Sequence, residues 1–266
     1  MEFDFTLKRY SELIDALKAA GYRFSSFEDF MLHPGGRTIV LRHDVDRFPA
    51  RALEMAELEN ARSVKGSYHF RVYGDSFDPG IIKTIASLGH EIAYHYEDLS
   101  RVAGNKSNPE DWVKEALHNF DSNLKSLRSY YPVKVISMHG DPSQSYDNRD
   151  LWDHFNYKSL GLLCEPYLDI DYTSVLYLTD TGRRWNADST NIRDKIPIRG
   201  GRLLSEEYNF KTTAEIILKV KSGTFPAWAI LSSHPQRWSD NRWIWLQELV
   251  WQNTKNAVKY LLSKFR

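Results

Sequence analysis

The segment best equipped for chemistry is His43-Asp44-Val45-Asp46, which stands just beyond the apolar run Thr38-Ile39-Val40-Leu41. In an extended strand the side chains at i and i+2 share a face, so Asp44 and Asp46 can point into one cavity while Val45 packs the opposite way. Two carboxylates this close repel unless a cation, a proton or a hydrogen-bond donor compensates them. With an imidazole beside them, they are a starting point for a hydrolytic metal site. The competing reading is structural: a strand end followed by an aspartate that caps the next helix.

The elements that must position these groups alternate along the chain. Leu7, Tyr10, Leu13, Ile14 and Leu17 recur at helical spacing over 7 to 20, with Gly21 as the stop. A short segment over 27 to 32 leads to the first core strand, 37 to 43. Pro49 opens a helix over 49 to 63, and Ser67 to Val72 reads as a strand. A helix over 79 to 88 leads to the strand 91 to 94, which ends on His95. Asn108-Pro109 caps a long helix, followed by the strand 133 to 138, which ends on His139. Short strands are expected near 160 to 164, 175 to 179 and 196 to 198, with a helix over 212 to 221. The last strand, 227 to 232, ends just before His234, and a helix over 240 to 264 closes the chain. Successive βα units favour a parallel sheet with right-handed crossovers, open or closed into a barrel. Ligands in such folds gather at the C-terminal strand ends. Asp44, Asp46, His95, His139 and His234 all fall there.

Composition narrows the classes. The 266 residues suit one α/β barrel or two small domains, and the lack of any linker, repeat or low-complexity tract favours one domain over 1 to 266. Lys plus Arg and Asp plus Glu both number 35, with no long one-sign run, which argues against a nucleic-acid or membrane-surface partner. No secretory leader or membrane span is evident, so the expected location is cytoplasmic. The single cysteine, Cys164, excludes an intrachain disulfide and a multi-cysteine zinc site. Eight Trp and fifteen Tyr suit stacking on sugar rings as well as an aromatic core.

In order, the strand-end segments are HDVD at 43 to 46, GHEIAYHYEDL at 89 to 99, MHGDP at 138 to 142, DTGRRW at 180 to 185 and ILSSHP at 230 to 235. This order resembles the polysaccharide deacetylases, carbohydrate esterase family four, over roughly residues 37 to 235. The resemblance implies a distorted (β/α) barrel of about seven parallel strands. Residues 1 to 36 precede the first matched motif, and their own spacing reads as an N-terminal helical extension. The resemblance also implies Asp44 as general base, Asp46 and His95 as metal ligands and His234 as general acid, with the segment Arg183-Arg184-Trp185 tuning the site. The sequence departs from the family at two places. Leu99 stands where the family has a second histidine, and Met138-His139-Gly140-Asp141-Pro142 replaces an Arg-Pro segment. His139 is the first candidate for the missing ligand, followed by Glu97 and Asp98. Alternatively, His139 orients Asp44 as the family's arginine does, or no metal binds.

The expected activity is metal-dependent removal of N-acetyl groups from a carbohydrate, such as a soluble polysaccharide precursor. Zinc is the first choice of divalent ion, with cobalt or nickel as alternatives. One rival is a C-N hydrolase acting on a non-sugar amide or cyclic amide. The other is a non-catalytic glycan-binding relative. His90 reads as a packing or hydrogen-bonding residue, and His43 as facing away from the site. His69 is given no role, and His33, His118 and His154 read as surface or packing residues. Glu91 and Asp98 read as local caps or pairs. Arg183 and Arg184 read as an internal salt bridge, with anion binding as the other option. Some of Trp238, Trp243, Trp245 and Trp251 are expected to be exposed.

Overall fold

Strand β2 (Thr38–Val45) is the axis of the architecture and is buried along its whole length. The structure is a computed structural model and describes residues 3–103, 108–140, 146–185, 196 and 201–264, with side chains to 254. Strand β1 (Arg23–Ser25) pairs with the first half of β2, and β3 (Ser67–Phe70) pairs with its second half. Strand β4 (Glu91–Tyr96) and β5 (Ile136–Met138) extend the sheet on one side, and β7 (Trp228–Ser233) and β6 (Leu176–Thr179) on the other. All pairings are parallel, and the main path runs β5-β4-β3-β2-β7-β6. The result is a curled half-barrel of seven parallel strands with helices around it, as expected from the sequence.

The helices α1 (Leu7–Ala19), α2 (Phe27–Leu32), α3 (Pro49–Asn60), α4 (Pro79–Ser87), α6 (Pro109–Arg128), α8 (Thr213–Lys221) and α9 (Arg242–Lys264) lie close to their expected spans. Two further helices, α5 (Asp98–Val102) and α7 (Pro166–Asp169), were not anticipated, being too short to show a helical period. The strand expected near 160 to 164 reduces to one parallel bridge, Val135 to Cys164, beside the β5 edge. The strand expected at 196 to 198 lies outside the described residues except for Ile196.

Alternation along each strand separates two environments. Val40, Ala93, Val135, Tyr177 and Ile230 join Phe27, Phe30 and Tyr172 in one apolar cluster inside the curl. Their neighbours Ile39, Leu41, Leu176, Leu178 and Leu231 pack outward against helices, as do Ile92, Tyr94, Tyr96, Ile136 and Met138. Two residues onward, the inward register reaches Arg42, His95, Ser137 and Ser232, and then Asp44, Glu97, His139 and His234. The segment before β2 is not a helical extension alone, because β1 joins the sheet beside β2 and α1 packs in the outer helix layer. Phe27 and Phe30 belong to the interior of the curl, and Glu91 accepts the backbone N–H groups of Phe27 and Glu28.

Candidate metal centre and catalytic site

At the C-terminal strand ends, three residues foreseen as metal ligands come together. Asp46, His95 and His139 each offer a ligand atom, and these atoms lie within 4.8 Å of one another. Asp46 Oδ1 is 3.6 Å from His95 Nε2 and 3.7 Å from His139 Nε2. Two ligands about 2.1 Å from one tetrahedral ion lie about 3.4 Å apart, so this spacing is close to a coordination edge. Asp46 Oδ1 is buried and has no hydrogen-bond partner. His95 Nδ1 is 3.0 Å from the Ser137 carbonyl, to which it can only donate, leaving the Nε2 lone pair toward Asp46. The donor set of two imidazoles and one carboxylate, with an orphaned oxygen among them, fits a zinc-like divalent cation.

Leu99, at the position of the second histidine in the deacetylases that the sequence resembles, is not part of this cluster. Leu99 lies in α5, 5% exposed, inside the apolar layer between sheet and helices. His139 reaches Asp46 from the end of β5 instead. Behind it, Glu97 Oε2 is 3.5 Å from His139 Nδ1, long for a hydrogen bond. Arg71 grips Glu97 with two donors, at 2.9 and 3.0 Å, and Arg101 adds a third at 3.0 Å. Glu97 is buried, which pushes its carboxyl up, but His139 and Arg71 outweigh burial and hold it at about 2. Glu97 therefore backs His139, whereas Asp98 accepts from Tyr94 and Asn123 in the helix layer.

Asp44 is held by a residue that the sequence reading missed. Arg42, two residues earlier on the same face of β2, donates from Nε to Asp44 Oδ1 at 2.8 Å. Arg42 is completely buried, with its guanidinium over the Tyr167 ring. The alternative in which His139 orients Asp44 is thus replaced by an arginine from the strand itself. Burial drives the Asp44 carboxyl up, yet Arg42, His95, His234 and His69 together hold it well below the usual carboxylate range. The i−2 spacing was the available clue.

His234 faces the same centre from β7, with Nε2 3.7 Å from Asp46 Oδ2. Its Nδ1 is 2.7 Å from Asp180 Oδ1, and its backbone N–H donates to Asp180 Oδ2 at 2.9 Å. Asp180 also accepts from Arg237 and from the Trp238 indole. Burial lowers the His234 pKa and Arg237 opposes protonation, but Asp180 and Asp46 raise it above the ordinary histidine value. Asp180 lies just beyond β6, at a strand end like the other groups of the centre. Arg183 is buried, donates to the Arg237 carbonyl and lies over the Phe5 and Trp245 rings. Among the described residues it makes a carbonyl bond and two aromatic contacts, with Glu248 and Asp180 supplying negative charge nearby. Trp185 packs near Trp238 and donates to Thr213, away from Asp46. Trp238 is buried, while Trp243 and Trp251 are exposed.

On the outer face, His43 and His90 take structural roles, as expected. Glu59, fully buried on α3, accepts from Tyr10 and Tyr68 and is 2.7 Å from His43 Nε2. His43 Nδ1 is 2.8 Å from Ser233 Oγ. This Ser-His-Glu chain resembles a nucleophilic relay, but all three side chains are sealed from solvent. Its role is to tie β2 and β7 to α1 and α3 with satisfied polar groups.

No family model and no curated protein sequence matches the chain. Its structure is similar to that of a CE4 family pseudoenzyme from Bacillus anthracis, at 13% identity and a TM-score of 0.42. That match covers 85% of this chain and 63% of the other, so the chain spans under two thirds of that protein's length. The similarity is to CE4 structures. A second is the CE4 domain of a multidomain xylanase from the hindgut metagenome of Trinervitermes trinervoides, at 13% identity and TM-score 0.38, covering 84% and 85%. A mutant of the peptidoglycan deacetylase PdaC from Bacillus subtilis matches at 11% identity and TM-score 0.40, covering 88% and 99%. Among the described residues, no helix is long and apolar enough to cross a membrane.

Proposed function

We propose that this chain is a divergent, metal-dependent hydrolase that removes an N-acetyl group from a carbohydrate. The observation that carries the reading is the convergence of Asp46, His95 and His139 beside two separately supported acid-base groups, Asp44 and His234. A divalent cation held by Asp46, His95 and His139 would polarise the acetyl carbonyl and lower the pKa of adjacent water. Asp44 stays ionised because Arg42 compensates it, and it takes the proton of the attacking water. Asp180 fixes the His234 ring and favours its protonated form, so His234 can deliver a proton to the departing nitrogen. Burial of these groups strengthens each electrostatic contact.

The test combines metal analysis with acetate release. Protein purified without chelator should carry about one zinc, cobalt or nickel ion per chain, and Asp46→Ala and His95→Ala should lose it. Asp44→Asn should retain the metal and lose turnover. A protein that binds none of these ions and frees no acetate from N-acetyl sugars in their presence would sink the proposal.

A further inference from the structure

Two residues beyond Asp46, the chain makes a strained turn onto α3. Phe48 adopts φ 54 and ψ 64, the left-handed region that a non-glycine residue rarely occupies. Its ring is 43% exposed. Two guanidinium groups gather on it, Arg47 at 5.0 Å and Arg51 at 5.5 Å from the ring centre. Arg51 is also fastened to the Gln236 carbonyl at 3.2 Å, on the loop that follows His234. Gln236 is 8% exposed, its amide nitrogen is 3.5 Å from Asp46 Oδ2, and its Oε1 is buried without a partner. The rim beside the metal centre thus holds two cations on one ring and an unused buried acceptor.

Four arginines around the site have a carboxylate partner. Arg42 is matched by Asp44, Arg71 and Arg101 by Glu97, and Arg237 by Asp180. Among the described residues, neither Arg47 nor Arg51 has a carboxylate partner. Two guanidinium groups on one ring without a carboxylate leave uncompensated positive charge at this turn, which favours a nearby anion. The first turn of α3 carries no acidic residue and no side-chain cap, which adds to the positive potential there.

We propose that Arg47 and Arg51, gathered on Phe48, form a subsite for an anionic group, a phosphate or a carboxylate, carried by the N-acetyl sugar. The inference rests on the deacetylase reading and narrows its substrate to a charged sugar derivative.

The test is calorimetric titration of the metal-loaded protein with N-acetylglucosamine 1-phosphate, N-acetylmuramic acid and neutral N-acetylglucosamine. At least one charged sugar should bind about tenfold tighter than the neutral one. The gap should close in Arg47→Gln/Arg51→Gln and shrink in about 0.5 M salt. Which charged sugar shows the gap separates phosphate from carboxylate. Equal affinities in the natural sequence, or a gap that survives in the double variant, would overturn the subsite. Acetate release from the same sugars separates the two ideas. A gap without acetate removes the deacetylase reading and keeps the subsite, while acetate without a gap does the reverse.

Discussion

Replacing Arg42 by Met tests the assignment that departs furthest from the sequence reading. Arg42 is completely buried, and among the described residues Asp44 is its only carboxylate contact, through one bond of 2.8 Å. Removing one partner of a buried pair leaves the other charge desolvated, at a cost of about 3–5 kcal/mol. Met roughly matches the aliphatic stem of Arg42, so the loss reports charge more than volume. The sign of the pH effect follows from the depressed Asp44 pKa. A carboxylate with a lowered folded pKa contributes stability above its unfolded value of about 3.9, and that contribution is lost as pH falls toward the folded pKa. Without Arg42, burial raises the Asp44 pKa, so the penalty should be largest at neutral pH and shrink toward about pH 4. Urea unfolding of the natural sequence, Arg42→Met, Asp44→Asn and the double variant gives a double-mutant cycle, with an expected coupling of about 2 kcal/mol or more at neutral pH. Additivity within about 0.5 kcal/mol, or a penalty independent of pH, would refute the pairing argument.

Other consequences follow from the layers around the centre. Glu97→Gln should weaken zinc binding by about 10- to 100-fold in a chelator competition titration, because His139 loses its charged support; an unchanged affinity would leave Glu97 with only its arginine contacts. Leu99→His, which introduces the residue type found in the deacetylases that the sequence resembles, should cost about 2 kcal/mol in urea unfolding and bring no gain in zinc affinity, since position 99 faces the apolar layer. Asp180→Asn should lower kcat for acetate release by about 10²–10⁴-fold while zinc binding holds, and full activity would remove His234 from the acid role.

Much of the site was legible because the strand-end rule acts locally. Alternation alone placed Asp44 and Asp46 on one face, and the strand breaks at His95, His139 and His234 put all five residues at the same end of the sheet. Arg42 was also within reach, two positions before Asp44, but an arginine inside a strand reads first as a surface residue. Arg101 stands at i+4 from Glu97 and is a local partner, but nothing local reveals that Arg71 closes on the same carboxylate from beyond β3. The family pattern made Leu99 look like a gap in the centre, whereas the gap exists only if position 99 faces the site.

The sequence by itself determined the alternation of strands and helices, the parallel sheet and the inventory of groups at its C-terminal ends. These depend on period and on turn residues, which act over a few positions. Tertiary structure decided which histidine joins Asp46, which arginine compensates Asp44, and that Ser233, His43 and Glu59 are sealed away from substrate. Such choices depend on strand order and register. Pairing β4 with β5 carries His139 beside His95, while the short α5 turns Leu99 into the core.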